Sequence, residues 1–286
     1  MKKITFIGVK GGPGSGNWGH AGRPGLRGGS GGAGMRYAPG GIKFTDTFDI
    51  YARSVATDQH LDGDLWDEWA DQPAWMSASV SQRREVKGQI CEHLSDQTGM
   101  DKEDVNDFVG QWSGSSNDAD MRSLAIQQDA AKEFGVKLSD WQRGKIVENE
   151  NMSKLFEGDK PSNFRSLLPS NQQRSLLRTM YDNAQEALQE QGIKDHVRLY
   201  RGIDLPDVTT KGWSTGDTID YKGNAIESWS VSEEMAGMFG NTTVFMDVPV
   251  ENIVSTARTG LGCLTEGEFI IMGSIPGQQA QVYDFH

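Results

Sequence analysis

Glu266 and Glu268 stand two residues apart in Leu264-Thr265-Glu266-Gly267-Glu268-Phe269-Ile270-Ile271, where an apolar strand begins. Side chains two apart on a strand share a face. The spacing therefore predicts two carboxylates projecting together from the mouth of a sheet, with Phe269 and Ile271 going into the core behind them. Like charges held that close repel and are rarely placed for stability. An isolated Glu-x-Glu most often marks a solvated strand end, but two earlier stretches shift the balance. Arg201 ends an apolar strand and Gly202 follows it, so a guanidinium stands beside a backbone that a ligand can approach closely. Ser228 and Ser230 share one face of another strand. Ser230 or Ser232 can also cap a helix over 232–239, with Glu233 three residues after Ser230, but Ser228 lies too far from that start to be explained by capping.

The chain that must position these groups has 286 residues, enough for one large domain or two modest ones. Its net charge of −12 argues against non-specific nucleic-acid binding, which relies on a basic surface. Cys91 and Cys263 are far apart and have no neighbours at metal-ligand spacing, so neither a disulfide framework nor a zinc site is expected, and a reducing compartment fits best. The apolar run Ile4-Thr5-Phe6-Ile7 stops at Gly8 and Lys10, too short for a signal peptide, and no later stretch is long enough to span a bilayer.

Residues 8–41 hold 15 of the 35 glycines and almost nothing apolar, which marks 1–44 as a flexible leader. Gly14-Ser15-Gly16-Asn17-Trp18-Gly19 matches a dinucleotide fingerprint in letters only, because glycines continue where a helix must start. From 45 to 192 the pattern is helical. Val105, Phe108, Val109 and Trp112 form one apolar stripe and Leu177, Tyr181, Ala184 and Leu188 another, both ordinary core faces. Ser170 or Asn171 can cap the second helix and Gly192 can end it. The Trp66 to Trp75 segment reads as an amphipathic helix, and the polar break Ser113–Asp118 suggests a boundary between an accessory region, 45–115, and a catalytic unit, 116–286. After Gly192 the period changes to two, with strands expected at 197–201, 225–231, 242–250, 268–272 and 279–285. Helices (116–192) followed by a strand core (193–286) define an α+β unit.

Leu199-Tyr200-Arg201-Gly202, then Ser228-Trp229-Ser230 with Ala236-Gly237-Met238-Phe239, then Glu266-Gly267-Glu268-Phe269-Ile270-Ile271 resembles the arginine-serine-glutamate class of mono-ADP-ribosyltransferases over roughly the C-terminal half. Trp229 stands where a small residue is commoner. The resemblance implies two small antiparallel sheets forming an NAD cleft with helices on one side. It also implies NAD as the substrate and a protein arginine as the acceptor. Glu268 would stabilise the ribosyl cation, Glu266 would orient the incoming guanidinium, and Ser228 would hold Glu268. Arg201, Gly202, Ser228, Trp229, Ser230 and Glu268 would line the cofactor site. Cleavage through an oxocarbenium-like state calls for a carboxylate at the anomeric centre and requires neither a metal nor a phosphate loop.

The leader segment Gly11–Gly25 is similar to one in phage head-associated proteins. That likeness implies a soluble, virion-associated or host-cytoplasmic setting, a head or portal partner, and a toxin-like effect on host proteins. It also keeps open an inactive structural protein on the same fold, while the two glutamates by themselves keep open hydrolysis alone, as in an NAD glycohydrolase. The accessory region would then dock a capsid partner or the acceptor.

Overall fold

The change of period at Gly192 becomes a change of layer. The computed structural model describes residues 2–3, 80–114, 121–155, 168–190, 193–263 and 266–285. Most of the glycine-rich leader, the tryptophan-rich segment, the proposed boundary at 115/116 and Gly192 lie outside these residues. Among the described residues, five long helices precede the main run of strands: α1 (Val80–Thr98), α2 (Lys102–Gly114), α3 (Met121–Phe134), α4 (Asp140–Leu155) and α5 (Ser170–Glu190). Gly99, at φ 68°, ends α1, and the Asp101 carboxylate accepts from the Glu103 amide at 2.7 Å to start α2. Pro169 rather than Ser170 opens α5, its carbonyl accepting from the amides of Gln172 and Gln173. The Ser170 hydroxyl instead donates to Asp129 on α3.

The strands are β1 (Lys2–Lys3), β2 (His196–Ile203), β3 (Thr218–Asp220), β4 (Ile226–Ser230), β5 (Thr242–Pro249), β6 (Ile253–Thr256), β7 (Glu268–Met272) and β8 (Gln279–Phe285). Short helices α6 (Asp207–Thr210) and α7 (Glu233–Gly237) interrupt them. The order across the sheet is β1-β3-β8-β5-β2-β4-β7-β6, antiparallel except for β1 with β3. Two small sheets were expected. The structure has two antiparallel sets joined into one eight-stranded sheet by a single register pair, Tyr200 with Ser230. By contrast, β2 and β5 share eight pairs and β4 and β7 five, so the seam between β2 and β4 is the weak line of the sheet.

Strand β7 is covered on both faces, as its unbroken apolar run Phe-Ile-Ile-Met requires. Phe269 and Ile271 enter one core with Leu199, Trp229, Val244 and Val282. Ile270 and Met272 enter the other, against Val105, Val109 and Trp112 of α2 and Leu176, Leu177 and Met180 of α5. The helical stripes therefore pack on the same strand that opens with Glu268. Fully buried leucines such as Leu177 are each worth about 2–5 kcal/mol against alanine. No described helix is long and apolar enough to cross a membrane.

Gly202 shows how tightly α7 sits on β2. A Cβ at this position would lie 2.0 Å from the Ala236 carbonyl oxygen, which is backbone and cannot swing away. The space that a ligand was expected to use is filled by the chain itself. Gly202→Ala is expected to cost roughly 3 kcal/mol through forced displacement of α7, read as a lower midpoint in urea with an unchanged slope.

Candidate active site

The seam is held open by side chains. Along β4, residues 226, 228 and 230 turn their backbone groups to the same edge. Ser230 meets Tyr200 there. Where β2 diverges, the Ser228 carbonyl accepts instead from Arg201 Nη1 at 2.6 Å. One step further, the Ile226 amide donates to Gln127 Oε1 at 2.9 Å while its carbonyl accepts from Gln127 Nε2 at 2.8 Å. Backbone groups that would be orphaned by the parting strands are thus satisfied, as burial demands. Arg201 is itself buried at the parting.

The two glutamates are arranged differently from a plain strand pair. Gly267 adopts φ 57°, so the strand begins only at Glu268, and Glu266 sits in the turn before it. The left-handed glycine breaks the period-two relation that would have put both side chains on one strand face. Both carboxylates are buried, not set on a solvated strand end. Ser230 fixes this turn: its hydroxyl donates to the Glu266 carbonyl at 2.6 Å and accepts from the Ser232 amide at 2.9 Å. Ser232, not Ser230, caps α7 by accepting from the Met235 amide at 3.2 Å.

Glu268 is only 1 % exposed. Its Oε1 accepts from Trp112 Nε1 at 3.2 Å, its Oε2 from the Cys263 amide, and the Ser228 hydroxyl also bonds the carboxyl. Burial pushes the Glu268 carboxyl above the ordinary glutamate range, and those three donors with the charge of Arg201 pull partly back. The result is a carboxylate that is destabilised without a cation in front of it and strengthened when one develops.

The Cys263 amide is aimed by a stiff loop after β6. Thr259 Oγ1 accepts from the Thr256 amide at 2.9 Å, Ser255 Oγ donates to the Leu261 carbonyl at 3.2 Å, and the Ala257 amide bonds the Glu268 carbonyl at 3.0 Å. Gly262, at φ 127°, closes the turn. Cys91 and Cys263 are both free thiols. Among the described residues no cluster of three or more His, Cys, Asp or Glu side chains could hold a metal ion.

Of the residues the sequence singled out, Arg201, Ser228, Ser230, Glu266 and Glu268 come together at the seam, and Gly202 adjoins it through α7. Trp229 points to the opposite face of β4 from Ser228. It is fully buried and packs edge-on against Tyr221 with centroids 5.2 Å apart. Sequence reasoning missed Trp112, Gln127 and the Cys263 amide. A buried indole N–H usually finds an acceptor, which is the one signal that could have drawn attention to Trp112, although the buried Trp229 Nε1 has none among the described residues.

The sequence model of one protein family, described as dinitrogenase reductase ADP-ribosyltransferase, matches residues 95–276, a span that includes Trp112, Arg201, Ser228, Glu266 and Glu268. No match is found among curated proteins or solved structures.

Because folding favours protonated Glu268, its contribution to stability is full below the unfolded pKa and is lost as pH rises through the raised folded value. Glu268→Gln is therefore expected to melt higher than wild type at pH 8, with the difference vanishing near pH 4. Thermal unfolding across that range checks this, and a glutamine variant that melts lower at pH 8 contradicts it.

Proposed function

The chain belongs to the dinitrogenase reductase ADP-ribosyltransferase family, and from that premise we propose that it moves ADP-ribose from NAD to an arginine side chain of an acceptor protein. The observation that carries this reading is the convergence of Arg201, Ser228 and Glu268 on one parting of the sheet, with Glu266 in the adjoining turn.

The reaction breaks the bond between the ribose anomeric carbon and the nicotinamide nitrogen, which leaves with the electron pair. Positive charge builds on the ribosyl ring as it does in glycoside cleavage. Ionised Glu268, short of counter-charge in its buried setting, stabilises that charge more than it stabilises neutral ribose, which is the condition for catalysis. Ser228 holds the Glu268 carboxyl, and Arg201 braces Ser228 through its carbonyl while its charge faces the site. Arg201 and the neighbouring serines orient the dinucleotide, chiefly by position. A guanidinium nitrogen of the acceptor then attacks the anomeric carbon, and Glu266 orients it and takes its proton. Water in place of the guanidinium gives NAD hydrolysis by the same first step.

The family is named for dinitrogenase reductase, which makes that protein one acceptor to test beside a cell lysate. A phage setting and host acceptors rest on the leader at residues 11–25, which precedes the matched span.

Incubation with NAD labelled in its adenylate portion, following both protein labelling and nicotinamide release, tests the proposal. Glu268→Ala is expected to lower both by on the order of 10²–10³-fold. Glu266→Ala is expected to lower protein labelling by at least about 10²-fold while leaving nicotinamide release within a few-fold of wild type. Equal loss of both activities in Glu266→Ala contradicts the division of labour between the glutamates. A wild-type protein that neither labels any acceptor nor releases nicotinamide contradicts the enzyme.

A further inference from the structure

Trp112 lies 156 positions before Glu268 in the chain, yet its indole nitrogen is 3.2 Å from Glu268 Oε1. The contact is built in from several directions. Val105, Phe108 and Val109 bury the same face of α2 against α5 and Ile270 of β7. Gln97 and Asn183 exchange side-chain amide bonds of 2.9 and 2.8 Å, fastening α1 to α5. The indole is thus delivered to Glu268 by a packed helix pair, not by a mobile side chain.

We propose that Trp112 is a positioning residue for Glu268, so that α1 and α2 belong to the catalytic unit and do not form a separate recognition module. The proposal rests on the function proposed above. An indole N–H can only donate, so Trp112 cannot relay a proton; it fixes the orientation of the carboxyl and favours its charged form. A carboxylate has about four acceptor positions. Trp112, the Cys263 amide and Ser228 occupy three, leaving one for a hydroxyl of the ribose. The groups facing Glu268 are Arg201 from β2, Ser228 from β4, the Cys263 amide from the loop after β6, and Trp112 from α2. Among the described residues that face Glu268, Trp112 alone comes from the helical layer.

The test uses the full chain. Trp112→Phe keeps an aromatic ring and removes the N–H. It is expected to lower kcat for nicotinamide release by about tenfold, one hydrogen bond to a charged group, with KM for NAD changed less than about twofold. The acid limb of the rate profile is expected to move to higher pH, because Glu268 loses a donor that favours ionisation. If the phenylalanine variant does not fold, benzothienylalanine at position 112 keeps the size of the indole and deletes only the N–H, and the same outcomes apply. An unchanged rate and acid limb would mean that Trp112 is core packing alone, and a faster rate would mean that it obstructs Glu268; either overturns the proposal. A readout independent of NAD chemistry separates this from failure of the proposed function. Thermal unfolding at pH 8 is expected to show that Trp112→Phe lowers Tm less in a Glu268→Gln background than in wild type. Equal loss of Tm in both backgrounds also overturns the proposal.

Discussion

Keeping a carboxylate nine-tenths or more out of water is the constraint around which this structure is arranged. Glu268 is 1 % exposed, and an ionised group so placed needs donors and counter-charge from the protein. They arrive from four elements: the indole of Trp112, the amide of Cys263, the hydroxyl of Ser228 and the charge of Arg201. These do not fully offset burial, since the carboxyl still titrates above its ordinary range. In the proposed reaction that residual cost has a use. A group that is uncomfortable as an anion in the free protein gains most when a cation forms against it, so destabilisation of the resting site becomes preference for the transition state.

The second constraint is the parting of the sheet. A continuous ladder between β2 and β4 would close the place where Arg201 and Ser228 meet. The strands share one register pair and then separate, with Arg201 and Gln127 taking over backbone groups that a ladder would have used. Gly202 and Gly267 complete the arrangement for different reasons. Gly202 lets the Ala236 carbonyl come against β2, and Gly267 supplies the left-handed turn that sets Glu266 ahead of the strand. Ser230 joins the two regions by bonding both the Glu266 carbonyl and the amide that begins the cap of α7.

Much of this was legible in the sequence because strands with a period of two announce themselves. The segments around Arg201, Ser228, Val244, Glu268 and Val282 lie within two residues of where alternation placed them. Strands β3 and β6 were missed because Thr218–Asp220 and Ile253–Thr256 are only three and four residues long, too short to display a period. The relation between the glutamates was misjudged because the backbone angle at Gly267, which no spacing rule encodes, decides whether a strand runs through both. The splayed seam, the Gln127 clamp and the Trp112 contact are products of tertiary packing. Trp112 reads in sequence as the last residue of a core stripe, and it is one; only the fold reveals which atom its N–H meets.

In the proposed reaction Ser228 and Glu268 act as one unit on the scissile bond. A double-mutant cycle on nicotinamide release, with Ser228→Ala, Glu268→Gln and the combined variant, tests it most directly. Ser228→Ala is expected to slow release in the wild-type background but to add almost nothing once Glu268 is glutamine, because the hydroxyl acts through that carboxyl. Two independent losses that multiply in the combined variant, or no loss from Ser228→Ala at all, would contradict it.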